Sequence, residues 1–226
     1  MSASFLDLDT IPAADRYKLL TALVIPRPVA WVTTMDPDGV VNAAPYSFFN
    51  VFGQDPAVII LGLQHRADGS AKDTERNIDA TGEFVVNIAT PALLDDMVDS
   101  AASYGSGESE AEALALKLLP SGRVKPPRLA DAPVAIECER MMALSLSAER
   151  AIMLGRAVGL YTREGLVDTE RMHVHWEGNF PVARLFADRY ARLEEIAPRS
   201  IPQPQNRENR KKEPIERPED REDRLR

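Results

Sequence analysis

The spacing of apolar residues along this chain changes period several times, and each change marks an element. Residues 29–35 and 40–44 read as two strands around Asp36-Pro37-Asp38-Gly39. Proline at the second position and a closing glycine make that segment a tight turn, and the whole a hairpin. Residues 57–63 form an apolar run of strand length, suited to a strand covered on both faces. Residues 83–89 follow Gly82 as another strand. Residues 134–146 and 151–162 read as long strands joined near Ala148, with Gly155 and Gly159 marking bulges or close backbone approach. Residues 171–176 make a last short strand.

Helical spacing appears at residues 13–24, where Tyr17, Leu20 and Leu23 or Val24 share a face, and at residues 71–80. Residues 91–102 open on a proline and carry Leu93, Leu94, Met97 and Val98, the pattern of an amphipathic helix. Residues 110–118 and a closing segment, 182–195, complete the helices, and 103–109 reads as a loop. Strands that follow one another through short turns favour an antiparallel barrel over a parallel βαβ sheet. The chain is mainly β with peripheral helices, and no internal repeat is found.

Composition adds limits. The 226 residues are 44% hydrophobic, enough for a core of one domain. The single cysteine, Cys138, rules out a disulfide within the chain, fits a reducing compartment, and alternates with apolar residues as a small buried hydrophobe. The amino-terminal residues lack a basic region followed by an apolar run, and no stretch approaches the roughly 20 apolar residues of a membrane span. A cytoplasmic protein with no membrane partner is expected. The net charge of −8 argues against a nucleic-acid binder. Residues 1–197 are read as one domain and 198–226 as a charged, proline-containing tail. From Arg199 onward there are nine Lys/Arg and seven Asp/Glu with almost no apolar residues, so the tail is expected to be disordered.

Several chemistries lack their motif. Gly105-Ser106-Gly107 has no third glycine and follows no strand, so no dinucleotide fingerprint is present. A Walker loop and a G-x-S-x-G nucleophile turn are absent too. His173 and His175 share a strand face, but a third histidine, His65, stands in a distant segment, so no metal is expected.

Two segments do carry chemistry. Ser70-Ala71-Lys72-Asp73-Thr74 opens a helix, where free N–H groups and the positive dipole end favour an anion. Lys72 adds a charge, Thr74 a hydroxyl, and His65-Arg66 a nearby cation. The competing possibility is ordinary capping by Asp73 or Ser70. Asn42 to Asn50 reads N-A-A-P-Y-S-F-F-N. Pro45 is expected to end ladder pairing there. Ala43 and Ala44 allow a flat ring near the backbone, Ser47 and Asn50 offer polar groups, and Phe48 and Phe49 offer walls, one of them in the core.

At these residues the chain resembles the flavin reductase-like family, the FMN-binding split barrels. The matching pieces are Pro26–Thr34, Asp36–Gly39, Asn42–Asn50, Asp55-Pro56, Lys72–Thr74 with Asn77, and Gly82–Asn87. Leu154–Val158 and Val182–Tyr190 resemble late segments of that family. The resemblance implies a six-stranded antiparallel split β-barrel, a homodimer, and one FMN per subunit. Asn42, Ala43, Ala44, Ser47, Phe48, Phe49 and Asn50 would contact the ring and its ribityl chain. Arg66, Lys72, Asp73 and Thr74 would surround the phosphate, and Arg27 would approach the flavin or the interface. It further implies hydride transfer from NADH or NADPH to flavin, with a monooxygenase or another acceptor downstream and no catalytic side chain assigned. A flavin-binding electron carrier is the alternative. The chain departs from the family at Phe186-Ala187, where Gly-Gly usually follows the Arg-Leu pair. It departs again at Gly159-Leu160-Tyr161, where many members carry histidine.

Overall fold

The structure, a computed structural model, describes residues 4–105 and 107–199. Its frame is a sheet of seven strands: β1 (Ala30–Met35), β2 (Val41–Tyr46), β3 (Phe49–Gln54), β4 (Ala57–Gln64), β5 (Glu83–Ile88), β6 (Val134–Ser147) and β7 (Arg150–Thr162). Their order is β2-β1-β5-β6-β7-β4-β3, and every neighbouring pair is antiparallel. Helices α1 (Ala13–Leu23), α2 (Asp73–Thr81), α3 (Leu94–Asp99) and α4 (Glu110–Ala113) accompany it. Residues up to Glu194 form one compact unit. Of the segment that follows, residues 195–199 carry no helix or strand, and the expected tail otherwise lies outside the described residues.

Alternation along the strands builds a core on each face of the sheet. Successive side chains of a strand face opposite ways. Ala30 and Val32 of β1 therefore join Ile59, Leu61, Leu63, Ile78, Phe84 and Met153 on one side, while Trp31 joins Val29, Met97, Leu129 and Val182 on the other. In β4 the residues Ile59, Leu61 and Leu63 are buried, and Val58, Ile60 and Gly62 between them are half-buried. Cys138 is buried in the first core, and that burial pushes its thiol pKa up to about 12.

The local chemistry read from the sequence acts where expected. Asp36 Oδ1 accepts from the N–H groups of Asp38 and Val40, and Gly39 supplies φ +92° to close the β1–β2 turn. The β6–β7 register shifts at Leu154/Gly155 and at Ala157/Gly159, so both glycines do mark bulges. Gly82 ends α2 in the left-handed conformation, donating to the Ile78 carbonyl.

Five expectations need correction. Pro45 does not end pairing: β2 continues to Tyr46, with Pro45 opposite Trp31. As β2 is an edge strand, the missing proline N–H faces away from the ladder. Phe49–Gln54 is a strand, one more than the six expected, pairing with β4 across an irregularity between Val51 and Gly53. Residues 182–195 hold no helix. Ala183–Arg184 pairs with Arg27–Pro28 and with Tyr190–Ala191, and Ala187 takes φ +49° where the family's glycine would sit without strain. The helices at 91–102 and 110–118 shrink to a 3₁₀ turn plus α3, and to the single turn of α4. The strand at 171–176 is only His173–Val174. The face that Tyr17, Leu20 and Leu23 share on α1 is exposed, and Thr21 is the buried residue of that helix.

Candidate functional site

The amino end of α2 is where the sequence places an anion, and it is open. Lys72 is the capping residue, extended at φ −72° and ψ 166°, and no side chain caps the helix. Neither Ser70 nor Asp73 fills that role. The first N–H groups of the helix are thus left for another acceptor. Around them lies a cavity of 520 Å³ walled by Asn42, Ala44, Pro45 and Tyr46 of β2, His65–Ala67 after β4, Lys72–Thr74, Ser100–Tyr104 after α3, and Glu110 of α4. That volume is within the roughly 300–1,000 Å³ of small-molecule sites.

Most polar groups of this wall are already committed to one another. Glu110, buried to 6% exposure, accepts from Asn42 Nδ2 through both carboxylate oxygens (2.7 Å each) and from the Ala43 N–H (3.1 Å). Asn42 Oδ1 then faces Thr74, whose hydroxyl donates to it at 2.7 Å. Asn77 Nδ2 donates to Thr34 Oγ1 at 3.1 Å behind them. Burial raises the Glu110 pKa, and the surrounding N–H donors oppose that rise. Burial also pushes the Tyr46 phenol up to about 12. Arg66 donates to Asp73 Oδ2 at 2.6 Å and to the Ala71 carbonyl, and Arg76 also binds Asp73. The Lys72 ammonium is different: it is exposed and has no hydrogen-bond or ion-pair partner among the described residues. It is the cation of this wall with its charge uncommitted.

Of the residues singled out from sequence, Asn42, Ala44, Arg66, Lys72, Asp73 and Thr74 line the cavity, and Ala43 is buried behind it. Arg27, Ser47, Phe48, Phe49 and Asn50 do not line it. Arg27 bonds the Thr21 and Val24 carbonyls and reaches Ser47 Oγ at 3.5 Å; burial lowers its pKa. Phe48 lies 6.0 Å from the Tyr17 ring of α1 with Arg150 over its face, and Phe49 packs on the first core. Asn50 is exposed, with Oδ1 on the Val51 N–H. These residues form a second group on the edge beside α1.

Tyr46, Ser100–Tyr104 and Glu110 were not assigned to a site from sequence. Glu110 is 68 residues from Asn42, and only the fold brings them together. Its local signal was the Ser109 cap of α4, which places the helix but gives no hint of its partner.

Asn42→Ala tests whether this network is a unit. It strips the buried Glu110 carboxylate of its side-chain donor and removes the acceptor of the Thr74 hydroxyl. Hydrogen bonds to charged groups are worth about 1.5–3 kcal/mol, so a loss near about 2–3 kcal/mol in urea unfolding is expected. A loss below about 0.5 kcal/mol, the size of a neutral surface change, would mean the network holds nothing.

Comparison with known proteins gives the family and the fold. Residues 22–191 match the family described as "Flavin reductase like domain". The structure of nitrilotriacetate monooxygenase component B from Bacillus cereus is similar at 34% identity and TM-score 0.82, over 86% of this chain and 98% of that one. The 2-nitrobenzoate 2-nitroreductase NbaA of Pseudomonas fluorescens is similar at 34% identity and TM-score 0.80, over 88% and 96%. A Shewanella frigidimarina protein with a split barrel domain shares the fold at TM-score 0.75 and 18% identity, over 86% and 96%.

Proposed function

This chain belongs to the flavin reductase-like domain family, and we propose that it is an FMN-binding oxidoreductase that takes hydride from NADH or NADPH. The observation that carries the reading is the uncapped start of α2, with the uncommitted Lys72 ammonium beside a cavity of 520 Å³. Such a donor set fits a phosphate: backbone N–H groups and a point charge, with no competing side-chain cap. FMN held there would supply the redox chemistry, that of an acceptor for a nicotinamide hydride.

The chain's own residues bind and orient. Lys72 and the first-turn N–H groups of α2 hold the phosphate. Arg66 ties Asp73 back so that its carboxylate does not oppose the anion. Asn42 and Thr74 fix the wall through Glu110, and Ala43 and Ala44 leave room for a ring edge. Arg27, Ser47, Phe48, Phe49 and Asn50 serve the ring end where a second subunit completes it. The partner for that edge is another copy of this chain: Tyr17, Leu20, Leu23, Phe48, Val51 and Phe52 are all exposed there, and large exposed apolar side chains grouped on one edge mark an interaction surface. A monooxygenase partner or another acceptor would take the electrons. Residues 1–197 are taken as the working domain of this cytoplasmic protein.

The test is oxidation of NADH and NADPH with added FMN. Turnover well above that of free flavin is expected, from a species of twice the monomer mass. A protein that takes up flavin and does not accelerate the reaction is an electron carrier instead.

A further inference from the structure

Helix α2 opens with two acids that would ordinarily close it. Asp73 is its first residue and Glu75 its third. A glutamate at the third position commonly reaches back to the N–H of the capping residue, and an acid anywhere in the first turn competes with an outside anion for the helix dipole. Here both are drawn away. Asp73 is held by Arg66 and Arg76. Glu75 Oε2 turns to lie 3.0 Å from His65 Nε2, with side-chain exposures of only 10% and 12%. The contact is an ion pair when His65 is protonated, and the two atoms have no other hydrogen-bond partner among the described residues. The opposite ring nitrogen, Nδ1, lies 2.8 Å from the Ala148 carbonyl. Both imidazole nitrogens face oxygen acceptors, and only the doubly protonated ring has an N–H for each.

We propose that His65 is a positioning residue: its imidazolium holds the Glu75 carboxylate away from the mouth of α2, keeping that mouth open to a phosphate-bearing ligand, and the hold is released when the ring loses its proton. This rests on the reading of the cavity as a phosphate site. The groups facing the ring are Glu75 from α2 and the Ala148 carbonyl from the β6–β7 turn. Glu149 offers its backbone carbonyl to the His65 N–H, and Arg66 is turned to Asp73 and Ala71. The Ala148 carbonyl first, then Glu75, raise the His65 pKa against the lowering effect of burial. A raised pKa means the pair is intact at acid pH and lost as pH rises through the folded value. The freed Glu75 then puts an unpaired charge in the first turn, where it repels phosphate and can swing onto the capping N–H.

FMN and riboflavin titrations of the full chain test this, since the two ligands differ only in the phosphate. His65→Gln, which keeps an N–H for Ala148, is expected to weaken FMN about ten-fold and leave riboflavin within about two-fold. Adding Glu75→Gln to that variant is expected to return FMN to within about three-fold of the unsubstituted chain. The unsubstituted chain should lose FMN affinity about ten-fold as pH rises through the range above the ordinary histidine value, and Glu75→Gln alone should flatten that profile. A double variant as weak as His65→Gln, equal losses for both flavins, or a flat profile in the unsubstituted chain overturns the proposal. If His65→Gln unfolds, the pH profiles of the unsubstituted chain and of Glu75→Gln decide. Should Lys72→Ala leave the preference for FMN over riboflavin intact, it is the phosphate reading that fails, whatever His65 does.

Discussion

Lys72→Ala is expected to weaken FMN binding about ten- to a hundred-fold and to leave riboflavin within about two-fold, because one charge-assisted contact is worth about 1.5–3 kcal/mol. The position makes the result clean. Lys72 is exposed, its ammonium has no hydrogen-bond or ion-pair partner among the described residues, and its backbone conformation is extended, which alanine adopts freely. Folding stability should therefore move by less than about 0.5 kcal/mol, and a binding loss is not a folding loss in disguise. Removal of the charge also leaves Glu110, whose carboxylate has only neutral donors, without a free cation on the same wall to offset it, while Asp73 stays paired with Arg66 and Arg76. An exposed charge is screened by salt, so the gap between the two flavins should narrow as ionic strength rises. Fluorescence titration of both ligands checks this. Equal losses would move Lys72 out of the site.

What could be read in advance was what has a local cause. The Asp36–Gly39 turn and the bulges at Gly155 and Gly159 each follow from the conformational needs of one or two residues, and all are present. The amino end of α2 was legible for the same reason, down to the doubt over whether Asp73 or Ser70 caps it, which their engagement elsewhere resolves. The Phe49–Gln54 strand was hidden because Phe52 and Gly53 break its alternation, and β4 supplies the partner that makes it a strand. The closing segment was misread because its apolar spacing suits a helix, while the edge offered by Arg27–Pro28 captures Ala183–Arg184 as a strand. Tertiary pairing overrides a weak local preference in both cases. The Glu110–Asn42–Thr74 network and the His65–Glu75–Ala148 bridge could not be seen at all. Asn42 and Glu110 are 68 residues apart, and His65 and Ala148 are 83 apart.

Gly155→Ala should be the most damaging single-methyl change in the barrel. A β-carbon at this position would fall inside the van der Waals surface of the Phe84 ring, 2.7 Å from Cε1, and 3.4 Å from Cys138 Cβ. The ring has no room to retreat: Phe84 is fully buried among Ala30, Val32, Ile59, Leu61 and Met153. Nor can the backbone yield easily, because Gly155 is paired on both sides, with Ile59 of β4 and Arg140 of β6. Overpacking of this kind costs about 1–3 kcal/mol, and the rigid surroundings put the expected loss near the upper end. Phe84→Leu removes the atoms in conflict, so the cost of Gly155→Ala should fall below about 1 kcal/mol in the Phe84→Leu background, a coupling visible in a double-mutant cycle of urea midpoints. If the two changes simply add, the obstruction lies elsewhere, and the glycine is present for the bulge rather than for the ring. The distinction bears on function because β4 runs straight from this contact into His65 and Arg66. A sheet forced apart at Gly155 would move the loop that walls the cavity, so the alanine variant should also bind FMN more weakly, with Phe84→Leu restoring stability and affinity together.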